Sequence, residues 1–178
     1  MKSASNGVGG AVTWGLLAAW AVHDTEEVVM VPYWVRNRVP ELPERFPRVP
    51  ERAWRALGAM DRRRFGTAVA AMAVVVAAAA ADGRRTGGRS AVYQTALNGF
   101  GAHGLVHLAQ AAAVRGYTPG SVTSPLVVVP FTLWARARLR RAGLLRPVRP
   151  RDVVQGLAFA AAATAGTHAV AHRLLRRR

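Results

Sequence analysis

Residues that can bind a metal or transfer a proton lie at helical spacing inside two apolar segments. The first segment holds His23, Glu26 and Glu27, and the second holds His103 and His107. Because successive residues of an α-helix turn by about 100°, Glu26 lies about 60° and Glu27 about 40° from His23, on a single face. His103 and His107 are one turn apart and also share a face. Ionisable groups are costly in a bilayer, so their position indicates a site that is lined by protein or water.

These side chains suit a divalent metal such as zinc, iron or manganese, since imidazole and carboxylate groups are ordinary ligands for each of these ions. The predicted metal ligands are His23, Glu26, Glu27, His103 and His107. Glu27 is also a predicted catalytic residue, as a bridging ligand or as a general base, because a carboxylate beside a metal is placed to take a proton. Asn98 is the second predicted catalytic residue and would orient the substrate or a ligand.

Two other interpretations of the same residues stay open. In the first, no metal is bound, and Glu26 and Glu27 form hydrogen bonds with His103 and His107, or burial keeps one carboxylate protonated. In the second, the polar residues have separate structural roles. The sequence alone does not choose between a metal site, a metal-free network and scattered roles.

Five apolar segments are long enough to position these residues across a membrane. A helix that rises about 1.5 Å per residue needs about 20 apolar residues to cross about 30 Å of hydrocarbon. The first segment is predicted to be an interrupted helix of about 28 residues, with a cleaved signal peptide as the alternative interpretation. We predict an all-α, polytopic membrane helical bundle that forms a single domain over residues 1–178, with spans at about residues 7–35, 65–81, 90–114, 116–135 and 153–172.

The first, third and fifth spans of such a bundle run in the same direction, so their polar residues meet only if they lie at the same height. Relative to midpoints near residues 21, 102 and 162, the polar residues of the three spans lie on the same side of the centre, within about 9 Å of helix rise. The groups can therefore converge. His168 and His172, in the last span, either join the site or occupy a helix end.

The charge of the chain is strongly positive, with 25 Lys and Arg residues against 9 Asp and Glu residues and a formal net charge of +16. A soluble protein with this excess would be expected to bind nucleic acid. Here the basic residues lie between the apolar segments and at the C-terminus, where they are placed to contact a membrane surface. We therefore predict a multi-pass protein of the cell membrane, with the lipid bilayer as its partner and no nucleic acid. The absence of cysteine excludes disulfides and thiolate ligands.

The pentad His23-Asp24-Thr25-Glu26-Glu27 in the first apolar segment resembles the signature of the HXXEE-domain family of small bacterial membrane proteins. The block from Asn98 to His103, together with His107, resembles a later motif of that family, and so does the block from Tyr117 to Gly120. The resemblance covers roughly residues 11–135. It implies a metal-binding or enzymatic role for these motifs and names no substrate, because the function of the family is uncharacterised.

The residues and the resemblance together lead to one expected function and two rivals. We expect a metal-dependent integral membrane enzyme that acts on a lipophilic substrate. Hydrolysis or isomerisation would need only a Lewis-acid metal, whereas an oxidative reaction would need iron or copper. The main rival is a small proton-coupled transporter or channel in which the same His/Glu cluster relays protons. A structural or assembly factor is the third interpretation.

Overall fold

Helices form every regular element in the part of the chain that the structure describes. The structure is a computed structural model that describes residues 7–147 and residue 166. Its elements in chain order are α1 (Gly10–Arg38), a 3₁₀ turn (Val39–Glu41), α2 (Leu42–Arg45), α3 (Glu51–Gly58), α4 (Arg62–Arg85), α5 (Ala91–Val114), a π-helical turn (Ser124–Val128) and α6 (Val129–Arg141). The predicted all-α fold is confirmed for these residues, among which no strand occurs.

The helix α1 runs without a break through the polar residues that we predicted to interrupt it. Its 29 residues include the stretch from His23 to Glu27 and also Pro32. Glutamate has a high helix propensity, and the backbone hydrogen bonds of a helix do not depend on whether the side chains are polar. The segment predicted at residues 7–35 is therefore one continuous helix that begins at Gly10 and ends at Arg38.

The helices α4 and α5 form a hairpin whose helix starts are fixed by side-chain caps. Asp61 accepts a hydrogen bond from the Arg64 backbone N–H at 2.8 Å, at the start of α4. Ser90 accepts one from the Tyr93 backbone N–H at 3.1 Å, at the start of α5. Each cap satisfies a backbone donor that has no partner within its own helix. The segments predicted at residues 65–81 and 90–114 thus correspond to helices with defined starts.

The helix α5 runs parallel to α1, because contacts between them advance along both helices together. The buried Tyr93 hydroxyl donates to the Val12 carbonyl at 2.5 Å. Further along, the ring centroids of His23 and His103 lie 5.1 Å apart. The core at the Tyr93 end is apolar and includes Val12, Leu16, Leu97, Val128 and Leu139. This common direction is the one that the predicted order of spans requires.

The close packing of α4 against α5 depends on a small residue at position 83. A methyl group on Gly83 would lie 2.5 Å from Cγ of Tyr93, so Gly83→Ala is expected to destabilise the fold by about 1 to 3 kcal/mol. Gly66→Ala on the same helix is the matched control, because no other described atom lies within 4 Å of the added group; it is expected to be neutral or slightly stabilising. Thermal unfolding in detergent measures both variants, and an equal effect of the two would contradict this packing.

The segment predicted as a fourth span, residues 116–135, begins as a non-helical connection. This connection comprises residues 115–123 and is non-helical up to residue 122. A π-helical turn that contains Pro125 separates it from α6. Proline has no backbone N–H, so the residues around Pro125 and Pro130 cannot keep the regular α-helical pattern, and a wider turn accommodates them. The connection folds back against α1, which places it beside the predicted site.

Within the described residues, α4 is the one helix that is long and apolar enough to cross a membrane. The helix α1 is longer, but Asp24, Glu26 and Glu27 stand near its middle. The helix α6 has only 13 residues. A polytopic bundle of about five spans therefore stays a prediction, and so does the single domain over residues 1–178. The fifth predicted span, residues 153–172, lies outside the described residues apart from Gly166.

Candidate metal centre

Four of the five predicted ligands come together in a single cluster. Ligand atoms of His23, Glu27, His103 and His107 all lie within 4.8 Å of one another. The oxygens of the Glu27 carboxylate lie 3.4 Å from Nε2 of His107, 3.7 Å from Nε2 of His103 and 3.9 Å from Nε2 of His23. The Nε2 atoms of His103 and His107 are 2.9 Å apart. Every one of these nitrogen atoms is thus directed towards the same carboxylate.

The two helices that supply the cluster each contribute a pair of side chains one turn apart. Residues at positions i and i+4 project from the same face of a helix, and α1 supplies His23 and Glu27 while α5 supplies His103 and His107. Since the two helices are parallel, both pairs meet at one height. The three imidazoles contact one another edge to face, with ring centroids 4.3 to 5.1 Å apart.

The cluster is largely buried and is open at His103. The His23 side chain is fully buried, and the Glu27 and His107 side chains are 11% and 8% exposed, whereas the His103 side chain is 45% exposed. Phe100 packs edge-on against the His23 ring, with centroids 6.0 Å apart. Polar groups in such surroundings need partners within the protein or a bound ligand. The exposed edge of His103 gives a small ligand access to them.

Glu26 lies outside the cluster, although the sequence predicted it as a ligand. Its carboxylate accepts hydrogen bonds from the backbone N–H groups of Gly120, Val122 and Thr123 at 3.0, 3.4 and 2.8 Å. The hydroxyls of Tyr117 and Thr123 donate to it at 2.9 and 2.6 Å. Partial burial, and then the hydrogen bond to Glu26, raise the pKa of the Tyr117 hydroxyl in the connection. Both oxygens of Glu26 are therefore used to anchor the connection, and its role as a ligand stays a prediction.

Thr123 links Glu26 to the cluster through His23. The Thr123 hydroxyl lies 2.6 Å from Oε2 of Glu26 and 2.7 Å from Nδ1 of His23. An ionised carboxylate can only accept, so the single hydroxyl hydrogen is donated to Glu26 and the hydroxyl oxygen accepts from the Nδ1–H of His23. A neutral His23 then has its lone pair on Nε2, which is buried and has no hydrogen-bond partner among the described residues. Outer partners of this kind fix the tautomer of metal-binding histidines.

Gly120 allows the connection to lie directly on the imidazoles. Its φ of +83° is in the left-handed region, and an added Cβ would lie 2.7 Å from Nδ1 of His107 and 2.9 Å from Cε1 of His23. Gly120→Ala is therefore expected to lower the free energy of unfolding by about 2 kcal/mol, from backbone strain and overlap together. Gly116→Ala, where the nearest described atom lies 3.9 Å away, is the control in the same connection. Thermal unfolding compares them, and equal stability of the two variants would mean that the connection does not contact the histidines.

Asn98, the second predicted catalytic residue, is also outside the cluster. Its side-chain oxygen accepts a hydrogen bond from the Arg136 guanidinium of α6, which is a contact between helices, and its predicted role in orienting a substrate stays a prediction. Asp24 is buried and its Oδ2 has no hydrogen-bond partner in the described part of the chain, yet it does not belong to the four clustered residues. His168 and His172 lie outside the described residues.

Three residues that shape the site were not predicted as site residues from the sequence: Tyr117, Gly120 and Thr123. The first two belong to the block that resembles a motif of the HXXEE family, but that resemblance does not indicate where the block packs. Thr123 has no local signal, because threonine hydroxyls in helices commonly bond to the backbone of their own helix. Its partner His23 is 100 residues away along the chain.

The family of the chain is shown by its similarity to a known family model. A family model matches residues 14–135 and is described as a protein of unknown function with an HXXEE motif. None of the curated proteins and none of the solved structures matches the chain. The matched range includes the four clustered residues as well as Glu26, and it covers more than half of the chain. Because its first helix carries the motif and the match extends across α5 and the connection, the chain belongs to the HXXEE family.

Proposed function

We propose that this protein is an integral membrane protein whose His/Glu cluster binds a divalent metal ion and supports metal-dependent chemistry on a lipophilic substrate. The observation that carries the proposal is the convergence of His23, Glu27, His103 and His107 within 4.8 Å. The ion is zinc, iron or manganese, since each of these accepts imidazole and carboxylate ligands.

The distances from Glu27 to the three imidazoles fit a metal better than they fit a hydrogen-bonded network. Nitrogen ligands of a tetrahedral ion lie about 2.0 Å from it and therefore about 3.3 Å from one another. The two Glu27 oxygens lie 3.4 to 3.9 Å from the three Nε2 atoms, which is close to that value and longer than ordinary hydrogen bonds. The Nε2 atoms of His103 and His107, at 2.9 Å, are within hydrogen-bond distance. The Nε2 atom of His23 has no hydrogen-bond partner among the described residues, which also supports a metal. One carboxylate and three neutral imidazoles also leave a divalent ion with a single net positive charge.

The location in a membrane is supported by apolar side chains that face outwards. On α1, α5, the π-helical turn and α6, residues such as Val22, Leu105, Leu126 and Leu133 are 52% to 71% exposed. Exposed apolar surface of this extent is unusual in a soluble monomer. In this proposal the spans predicted at about residues 7–35, 65–81, 90–114, 116–135 and 153–172 cross the bilayer, and the chain is a multi-pass protein of the cell membrane.

The chemistry follows from what each residue of the cluster can do. When bound, a divalent ion supplies Lewis-acid activation of an electrophilic substrate. His23, His103 and His107 would hold it through Nε2. Glu27 would complete the ligand set, and its second oxygen is placed to accept a proton as a general base. The open edge at His103, where the neighbouring Val106 is also exposed, would admit a lipophilic substrate from the hydrocarbon.

Elemental analysis of detergent-purified protein, prepared without chelators, tests the proposal. We expect about one tightly held divalent ion per chain, and we expect His103→Ala to release it while thermal unfolding stays cooperative. The rival function, a proton-coupled transporter or channel, would use the hydrogen bond between the exposed His103 and the buried His107. Metal-free protein that raises the proton leak of liposomes would favour that rival and would overturn the metal-dependent enzyme.

A further inference from the structure

A groove of about 810 Å³ lies between the second half of α1, α3 and the start of α4. Its wall on α1 includes Val29, Pro32 and Arg36, which lie roughly 180° to 240° around the helix from His23. The groove is therefore on the face of α1 that points away from the metal cluster. Its volume is typical of sites that bind small organic molecules.

The walls of the groove are apolar and its charges are mostly basic. The apolar lining comprises Val29, Pro32, Tyr33, Val35, Val39 and Met60. Arg36 and Arg62 also line the groove, and neither guanidinium group forms an ion pair or hydrogen bond with any residue that the structure describes. These two arginines lie at the end of α1 and at the start of α4, which are the ends of two proposed spans.

The other charged residues of the groove already have partners. Arg55 lies 3.6 Å from the Glu51 carboxylate. Asp61 caps α4 through the Arg64 backbone N–H and also lies 3.2 Å from the Arg64 guanidinium. The charge of Asp61 is thus compensated, so the two unpaired arginines give the groove a positive potential.

Trp54 supplies a further unpaired donor. It lines the groove, and its indole Nε1 is buried without a hydrogen-bond partner among the described residues. Buried indole N–H groups usually find an acceptor. The Nε1 atom of Trp54 has almost no accessible surface, so the donors that an anion in the groove reaches directly are the exposed Arg36 and Arg62.

We propose that this groove binds an anionic phospholipid of the bilayer, with the head-group phosphate at Arg36 and Arg62 and the upper acyl chain against the apolar wall. Guanidinium groups suit phosphate oxygens because they offer planar, paired donors. A phosphatidylcholine has the same phosphate but carries a compensating cation, so the positive groove discriminates against it. The site is separate from the metal cluster and does not depend on it, but it rests on the membrane location in the proposed function.

Lipid binding to the purified full-length protein, measured by native mass spectrometry with added phosphatidylglycerol or phosphatidylcholine, tests this site. We expect phosphatidylglycerol to bind more tightly. The double substitution Arg36→Gln with Arg62→Gln is expected to weaken that binding about 25-fold, since each basic side chain near a lipid surface contributes about a factor of five. Arg48→Gln with Arg52→Gln is the matched control, because it removes the same charge from exposed residues outside the groove and is expected to leave the preference intact.

Two results would overturn the lipid site. One is an equal loss of phosphatidylglycerol binding in both double variants, which would indicate general attraction to a basic surface. The other is displacement of the lipid by inorganic phosphate at matched concentration, which would indicate a simple anion site. An unchanged thermal midpoint and unchanged phosphatidylcholine binding confirm that the groove variant is folded.

Discussion

Replacing Glu27 with glutamine is expected to release the proposed metal ion, with a fall in affinity of about 100-fold or more. Glu27 supplies the only carboxylate in the cluster, and its oxygens lie within 3.9 Å of the Nε2 atoms of all three histidines. The amide has the same shape but no charge, so the substitution removes the anionic ligand without opening a cavity. Elemental analysis and competition with a metal-binding dye measure the loss.

Glu26→Gln is the matched control, because it is the same substitution one residue away in the same helix. The structure directs the Glu26 carboxylate to the connection, where it accepts bonds from Tyr117, Gly120, Val122 and Thr123. We expect the amide oxygen to stay at Thr123, so that this variant keeps its metal within a few fold. It should unfold at a lower temperature, since the amide nitrogen cannot accept the bonds that Gly120 and Val122 donate to the carboxylate. Loss of metal from Glu26→Gln but not from Glu27→Gln would reverse the assignment.

Thr123→Val is expected to weaken metal binding by about 10- to 100-fold, although Thr123 is not a ligand. Valine has nearly the same shape as threonine but cannot accept the Nδ1–H of His23 at 2.7 Å. Without that acceptor, His23 is free to carry its proton on Nε2, the atom that faces the other ligands. The affinity falls because part of the histidine is then in the wrong tautomer.

Thr123→Ser keeps the hydroxyl and is expected to bind metal almost as tightly as the parent protein. The nitrogen NMR shifts of the His23 ring report its tautomer directly, and they should change in the valine variant alone. Equal metal affinity of the serine and valine variants would refute the role of this hydroxyl. A change in affinity without a change in tautomer would refute the mechanism given for it.

The four clustered residues could be predicted because their arrangement depends on helical geometry alone. His23 and Glu27 are one turn apart on α1, and His103 and His107 are one turn apart on α5. The rotation of about 100° per residue fixes each pair on one face. The common height follows once the order of the helices along the chain is known.

The separation of Glu26 from Glu27 could not be predicted in this way. The two carboxylates lie on opposite sides of His23, at about 60° and 40°, so both belong to the predicted polar face. Which of them meets α5 depends on which element packs at each side. The connection at residues 115–123 fills the side of Glu26, and no local pattern in the sequence indicates that it folds back there.

The helical segments could be predicted more completely than the breaks between them. Apolar composition and length identified α1, α4 and α5 to within a few residues, because these helices are long and regular. The predicted span at residues 116–135 was less accurate. Pro125 and Pro130 indicated a distortion, but the extent of the non-helical connection before α6 is set by its contacts with Glu26 and His23.

The series of contacts from Glu26 through Thr123 to His23 determines which substitutions should reduce activity in mutational screens of this family. In a saturation mutagenesis screen for activity, substitutions in the connection are expected to score about as severely as substitutions of the histidines, because their effect reaches His23 through Thr123. Double substitutions distinguish residues that act through the cluster from residues that act independently of it. In a variant that already lacks Glu27, a second substitution in the connection is expected to reduce activity little further, because the cluster that it would disturb is already inactive. A substitution at an unrelated surface position is expected to add its full effect.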